Sequence, residues 1–211
     1  METQLRSQTS KEELINAATH GAGLVLAFIA IPFLFLKADA GNAKLMFALG
    51  TFSFGIIAVY SSSTFYHVVN HPILKKRANI ADHISILFLI GGTYTPIVLI
   101  YTTPQLSLVF LSTQWSIIAL GTILKIFFTG RYDNLSLILY ILLGWMLIFI
   151  INPVLLLMPD DIFYLVIAGG ISYSAGTIFF RLDHRLHAHN IWHCFVLGGT
   201  VFHYIAIYKS L

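Results

Sequence analysis

Charged side chains are scarce in this 211-residue chain: Asp, Glu, Lys and Arg together make up 10%, against about 25% in soluble domains. That deficit excludes an ordinary water-soluble globule. Cysteine is nearly absent. The one present, Cys194, excludes an internal disulfide framework, and it is rotated off the face of its neighbour His193, so it reads as a packing residue. A basic stripe is missing as well. The formal net charge is +3, and the lysines and arginines flank hydrophobic runs, so nucleic acid is not an expected partner. The first thirteen residues are polar and mixed in charge (Arg6, Lys11, Glu12, Glu13). They lack the apolar core and small-residue cleavage site of a signal peptide, so the first span is expected to stay. No internal repeat or low-complexity tract breaks the chain.

What the chain does have is apolar length. Hydrophobic residues make up 57% and mean hydropathy is +0.82. Spanning the hydrocarbon of a bilayer takes about 20 apolar residues in a helix. Seven runs meet that length: Leu14–Leu36, Lys44–Val68, Ala81–Tyr101, Leu106–Phe128, Leu135–Leu157, Ile162–Arg181 and Ala188–Tyr208. The expected fold is an all-α membrane protein, a single seven-helix domain over residues 1–211 with a short polar segment at 1–13. The connections carry almost all the charge, His71 to Arg77 among them. Ser10-Lys11-Glu12-Glu13 has the form of an N-cap with its reciprocal glutamate. Pro32 and Pro96 fall inside spans and predict local kinks. Gly91-Gly92, Gly169-Gly170 and Gly198-Gly199 predict close helix packing.

Lysine and arginine set the expected orientation. With the N-terminus inside, the inner segments hold Arg6, Lys11, Lys75, Lys76, Arg77, Lys125, Arg131, Arg181 and Arg185, and the outer ones only Lys37, Lys44 and Lys209. This positive-inside bias predicts a cytoplasmic N-terminus and an outside C-terminus in a cell's inner (plasma) membrane.

Depth then sorts the polar residues. The second span ends inside with Ser63 and His67, the third begins there with Asp82, and the seventh begins there with His189 and His193. Glu13, Asn16 and His20 share one face at the start of the first. Of nine histidines, only His203 lies well away from this layer, about 15 Å beyond His193 at about 1.5 Å per helical residue. His189 and His193, four apart, share a helix face and can hold one metal ion at about 2.0–2.1 Å each. Imidazoles in a lipid-embedded segment are costly unless partnered. His67 is the natural third ligand. Three histidines plus one open position form the pattern of a catalytic zinc site, although iron, manganese or nickel also suit imidazole with carboxylate. Ser63, four before His67, shares its face. Asp82 can serve as general base, as a hydrogen-bonded support or as a ligand, and the sequence leaves these roles open.

Each residue also has a plain structural reading. Asp82 can be a first-turn helix acid, Ser63 can bond its own helix backbone, and Glu13 can be only a capping residue. Asn16 and His20 can be inter-helix hydrogen-bonding groups. His71, His83, His184 and His187 read as solvated or interfacial.

The order Glu13-x2-Asn16-x3-His20-Gly, Ser63-x3-His67, Asp82, Gly92-Thr93-Tyr94-Thr95-Pro96, His189-x3-His193 and Phe195-Val196-Leu197 resembles a hemolysin III-type bacterial member of the progestin and adiponectin receptor (PAQR) family. The resemblance covers nearly the whole chain. It implies seven helices and a zinc ion near the cytoplasmic side, with His67, His189 and His193 as ligands and Asp82 and Ser63 beside the bound water. Glu13, Asn16 and His20 would support them from behind. Likeness of this constellation to alkaline ceramidases implies hydrolysis of a lipid amide or ester bond, with membrane lipids as partners and a part in membrane-lipid homeostasis. The alternatives are a membrane sensor whose metal only staples helices, and a pore-forming hemolysin. Substrate and oligomeric state are not legible.

Overall fold

The computed structural model describes residues 8–211, so Arg6 lies outside it. Among the described residues there are helices and no strands, and seven stretches are long and apolar enough to cross a membrane. They are α1 (Ser10–Lys37), α2 (Ala43–Val68), α3 (Pro72–Tyr101), α4 (Pro104–Phe128), the pair α5 (Asp133–Gly144) and α6 (Ile151–Leu157), α7 (Asp160–Arg181) and α8 (Ala188–Ser210). The pair α5 and α6 makes one span, so the expected count stands.

Three boundaries differ from expectation for local reasons. The first helix is capped by Thr9, whose hydroxyl accepts from the Glu12 N–H while Glu12 answers Thr9 N–H. The capping box is therefore Thr9–Glu12, one residue before the expected Ser10–Glu13, and Glu13 is left with no capping duty. The third helix starts nine residues early, because Pro72 occupies its first turn after the N-cap His71. Proline costs nothing there, since that N–H has no helical partner. Lys75, Lys76 and Arg77 therefore ride on helix rather than loop, and Asp82 sits ten positions in, too far for a first-turn acid. The fifth span is broken where continuity was expected. A 3-10 stretch, Met146–Ile150, separates α5 from α6. The Tyr94 hydroxyl enters this break, donating to the Gly144 carbonyl at 2.6 Å and accepting from the Leu147 N–H at 3.2 Å. A side chain inserted into the ladder is a recognised cause of a helix kink.

α3 is the central helix. In its most hydrophobic window 67% of residues are buried, against 22% in α1. It packs on α2 and α4; α1 bridges α2 and α8, and α7 lies along α8. The core between them holds Leu34, Leu49, Phe52, Tyr60, Val98, Val154 and Ile207, all nearly solvent-free. Bare backbone sets the α2–α3 spacing. A Cβ on Gly55 would lie 2.7 Å from the Phe88 carbonyl, and one on Gly92 the same distance from the Thr51 carbonyl. The close packing expected at Gly91-Gly92 is present, and in the other two pairs Gly169 and Gly199 are the tight members. The ends of α1, α2, α3 and α8 that carry the polar layer thus meet at one end of the bundle.

Candidate metal centre

The last turn of α2 and the first two turns of α8 present the imidazoles. His67 and His193 are buried and His189 is half-buried. Their ring centroids lie 5.3 Å (His67–His189), 5.0 Å (His67–His193) and 4.7 Å (His189–His193) apart. Each offers a ring nitrogen within 4.8 Å of the other two, close enough for one metal ion to be held between them.

The hydrogen bonds behind the rings point the same way. His67 Nδ1 is 2.6 Å from Glu13 Oε2, and Glu13 Oε1 accepts from Lys75 Nζ at 2.8 Å. With Nδ1 engaged by the carboxylate, the second nitrogen of His67 is the one free to ligate. That Nε2 is buried and has no hydrogen-bond partner. A ligating histidine backed by a carboxylate is a recurrent arrangement, because the carboxylate fixes the tautomer and raises ligand basicity. An orphaned imidazole nitrogen inside an apolar bundle is costly otherwise. His189 has its own carboxylate: Nδ1 stands 3.3 Å from Asp183 Oδ1. Three converging imidazole nitrogens, one of them backed by a hydrogen-bonded carboxylate, suit a divalent metal ion.

Ser63 is buried, and its hydroxyl bonds no carbonyl of its own helix but faces the Asp82 carboxylate. Its neighbours behave differently: Ser61 and Thr64 donate to carbonyls of their own helix. The helix-backbone reading of Ser63 is therefore not what the structure shows. Asp82, half-buried on α3, faces Ser63 and the His189 ring. Its turn is pinned by Ser85, whose hydroxyl donates to the Asp82 carbonyl at 2.6 Å and accepts from Ser62 at 2.9 Å.

Asn16 and His20 are both buried against this site. Asn16 accepts from Asn190 Nδ2 and donates to Gln8. His20 stacks on His193 at 3.6 Å with rings 8° from parallel, edge-on to Tyr60. It is not one of the three nitrogen donors that converge. His203 stays apart, as its depth predicts, with Nε2 3.0 Å from the Val166 carbonyl. His83 differs from the solvated reading: it is half-buried, with Nδ1 3.2 Å from Lys125 Nζ. His187 also differs, because it caps α8 in a left-handed conformation. Cys194 is exposed on the bundle surface.

Two acids next to the ligands escaped the sequence reading, Glu12 and Asp183. Glu12 was hidden by the one-residue ambiguity of the capping box. Asp183 sits in a short polar loop, where nothing local separates it from a solvating charge.

A cavity of about 90 Å³ adjoins the site. Val59 and Ile86, one turn from Ser63 and Asp82, line it with Trp192, next to His193, and it runs toward Tyr94, Trp145 and His203.

Comparison with known proteins agrees with the motif order. The model of the family described as "Haemolysin-III related" matches residues 8–204. The chain belongs to that family. It is 38% identical to "Hemolysin-3" of Bacillus cereus over 202 residues, covering 95% of this chain and 92% of the relative. It is 38% identical to "Hemolysin-3 homolog" of Bacillus subtilis, covering 91% of each. Similarity extends to the human "Monocyte to macrophage differentiation factor", at 26% identity over 96% of this chain and 86% of that protein. The chain is therefore a haemolysin-III related, multi-pass integral membrane protein of the PAQR family, and contact with membrane lipid follows from its seven spans.

Proposed function

We propose that this protein is a zinc-dependent membrane hydrolase that cleaves an amide or ester bond of a lipid, with its site at the cytoplasmic side. The observation that carries the reading is the convergence of His67, His189 and His193, each with a ring nitrogen in mutual reach, beside Asp82 and the Ser63 hydroxyl that faces it. A structural staple needs the imidazoles alone. Neither Asp82 nor the Ser63 hydroxyl beside it has a task in it.

The three histidines would hold the ion, and zinc supplies a Lewis acid together with water whose pKa falls to about 7. Glu13 keeps His67 in the Nδ1–H tautomer, so that Nε2 remains a lone-pair donor. Asp82 takes the proton from the attacking water and delivers it to the departing amine or alcohol. Ser63 donates its hydroxyl proton toward the oxygen on which negative charge develops. The apolar cavity lined by Val59, Ile86 and Trp192 receives the acyl chain, with the chain's carbonyl at the histidine end.

The test is turnover. Purified protein loaded with zinc in nanodiscs is expected to release fatty acid from a panel of ceramides, acyl amides and lipid esters, and Asp82→Asn to stop release while leaving zinc content and thermal stability unchanged. A zinc-loaded wild type inert across the panel would overturn the reading. A second reading, membrane lysis, is suggested by the names of the family and of the Bacillus relatives. Dye leakage from liposomes that depends on the protein but survives His67→Ala would favour it.

A further inference from the structure

The turn 182–187 between α7 and α8 leads straight into His189, and it is held from two directions. His187 is the only non-glycine residue among those described with positive φ, +62°. A histidine in that region is strained by its Cβ, so neighbours must hold it there. Its N–H, freed from the helix ladder at the N-cap, donates to Glu12 Oε1 at 2.8 Å. Glu12 is 2% exposed, and its other oxygen accepts from both Thr9 N–H and Thr9 Oγ at 2.9 Å. Both carboxylate oxygens are thus committed, one to each helix. One turn on, Asn190 Nδ2 donates to the Glu12 carbonyl at 3.0 Å, which pins the far side of His189. The second contact is with the ring itself: Asp183 Oδ1 lies at ion-pair distance, 3.3 Å, from His189 Nδ1 without making a hydrogen bond to it, and accepts from Gln8 Nε2 at 3.3 Å.

We infer that Glu12 and Asp183 are positioning residues for His189: Glu12 fixes the backbone of the turn that presents it, and the Asp183 carboxylate beside Nδ1 orients the ring electrostatically toward His67 and His193. The inference rests on the metal reading above. Glu12→Gln preserves volume but replaces one acceptor oxygen by an amide donor. Either His187 N–H or the Thr9 pair then loses its acceptor, and the left-handed turn relaxes. Asp183→Asn removes the charge that orients the imidazole. Loss of such a supporting partner lowers metal affinity about 10- to 100-fold.

The experiment is zinc affinity, measured by chelator competition on the full chain in detergent, with the thermal midpoint of chelator-treated protein alongside. Glu12→Gln and Asp183→Asn are each expected to weaken zinc about 10- to 100-fold; Asp183→Asn leaves the metal-free midpoint in place, and Glu12→Gln lowers it by the lost acceptor. In a His189→Ala background both substitutions are expected to have no further effect on residual affinity, whereas Glu13→Gln, acting through His67, still weakens it. Wild-type affinity in both single variants overturns the inference, and so does an equal loss with and without His189. Should Glu12→Gln fail to purify as a folded protein, Asp183→Asn, at the edge of the site, decides alone. A wild type whose zinc affinity is indifferent to His189→Ala removes the metal reading and this inference with it. That result is distinct from the other two.

Discussion

Replacing Tyr94 by Phe tests how the broken fifth span is held. In a continuous helix the Gly144 carbonyl would accept from Ile148 N–H, and Leu147 N–H would donate to Leu143. In the 3-10 stretch Ile148 N–H donates instead to the Trp145 carbonyl at 3.1 Å. The Tyr94 hydroxyl takes up both displaced groups, at 2.6 and 3.2 Å. Tyr94→Phe leaves a carbonyl and an N–H without partners in a buried, apolar setting. Unsatisfied buried groups cost about 1–3 kcal/mol each, which sets an upper figure of about 6 kcal/mol. Side-chain hydrogen bonds between helices in membranes average about 0.6 kcal/mol each, which sets a lower figure of about 1 kcal/mol. The lower range should win, because the 3.2 Å bond is weak and the stretch can regain helical bonds by straightening. The expected loss is about 1–3 kcal/mol, or several degrees at about 2–4 °C per kcal/mol for a chain of this size. Unfolding of protein in bicelles gives the free energy, and hydrogen exchange is expected to quicken at residues 144–150. The α8 end is untouched, so zinc content should not change. A free energy within about 0.5 kcal/mol of wild type, with no change in exchange, would refute the reasoning, because it lies below the lower figure taken from membrane helices.

Chelation and His67→Ala should remove the same ion. Elemental analysis is expected to show about one zinc per chain lost in each. Zinc at about 100 times its Kd should stabilise wild type by about 2.7 kcal/mol and leave His67→Ala unmoved. Ser63→Ala, which removes a hydroxyl aimed at the developing charge, is expected to lower kcat by about 10²-fold or more with KM little changed. Equal loss in KM would mean that Ser63 serves substrate binding instead. Gly55→Val places a methyl-bearing carbon against the Phe88 carbonyl and forces α2 from α3. Overpacking of this kind costs about 1–3 kcal/mol. Zinc affinity should fall with it, because α2 carries His67, and an unchanged thermal midpoint would show that the helices can part freely.

Composition and apolar run length alone determined that seven helices cross a membrane, because hydrocarbon satisfies no backbone group and only a long apolar helix solves that problem. Helical spacing determined that Ser63 shares a face with His67, and His189 with His193, since residues four apart lie on one face wherever the helix goes. The layer in which the polar residues gather was also legible, from depth along each span. Tertiary structure decided everything that depends on two helices at once. It placed Glu13 on His67 and freed Ser63 from its own helix. It set a half-buried His83 beside Lys125 and recruited Glu12 and Asp183 around His189. The break at Met146–Ile150 belongs to the same class, because its partner, Tyr94, lies 50 residues away in the chain. Local periodicity fixes which face a residue occupies. Only packing fixes what that face meets.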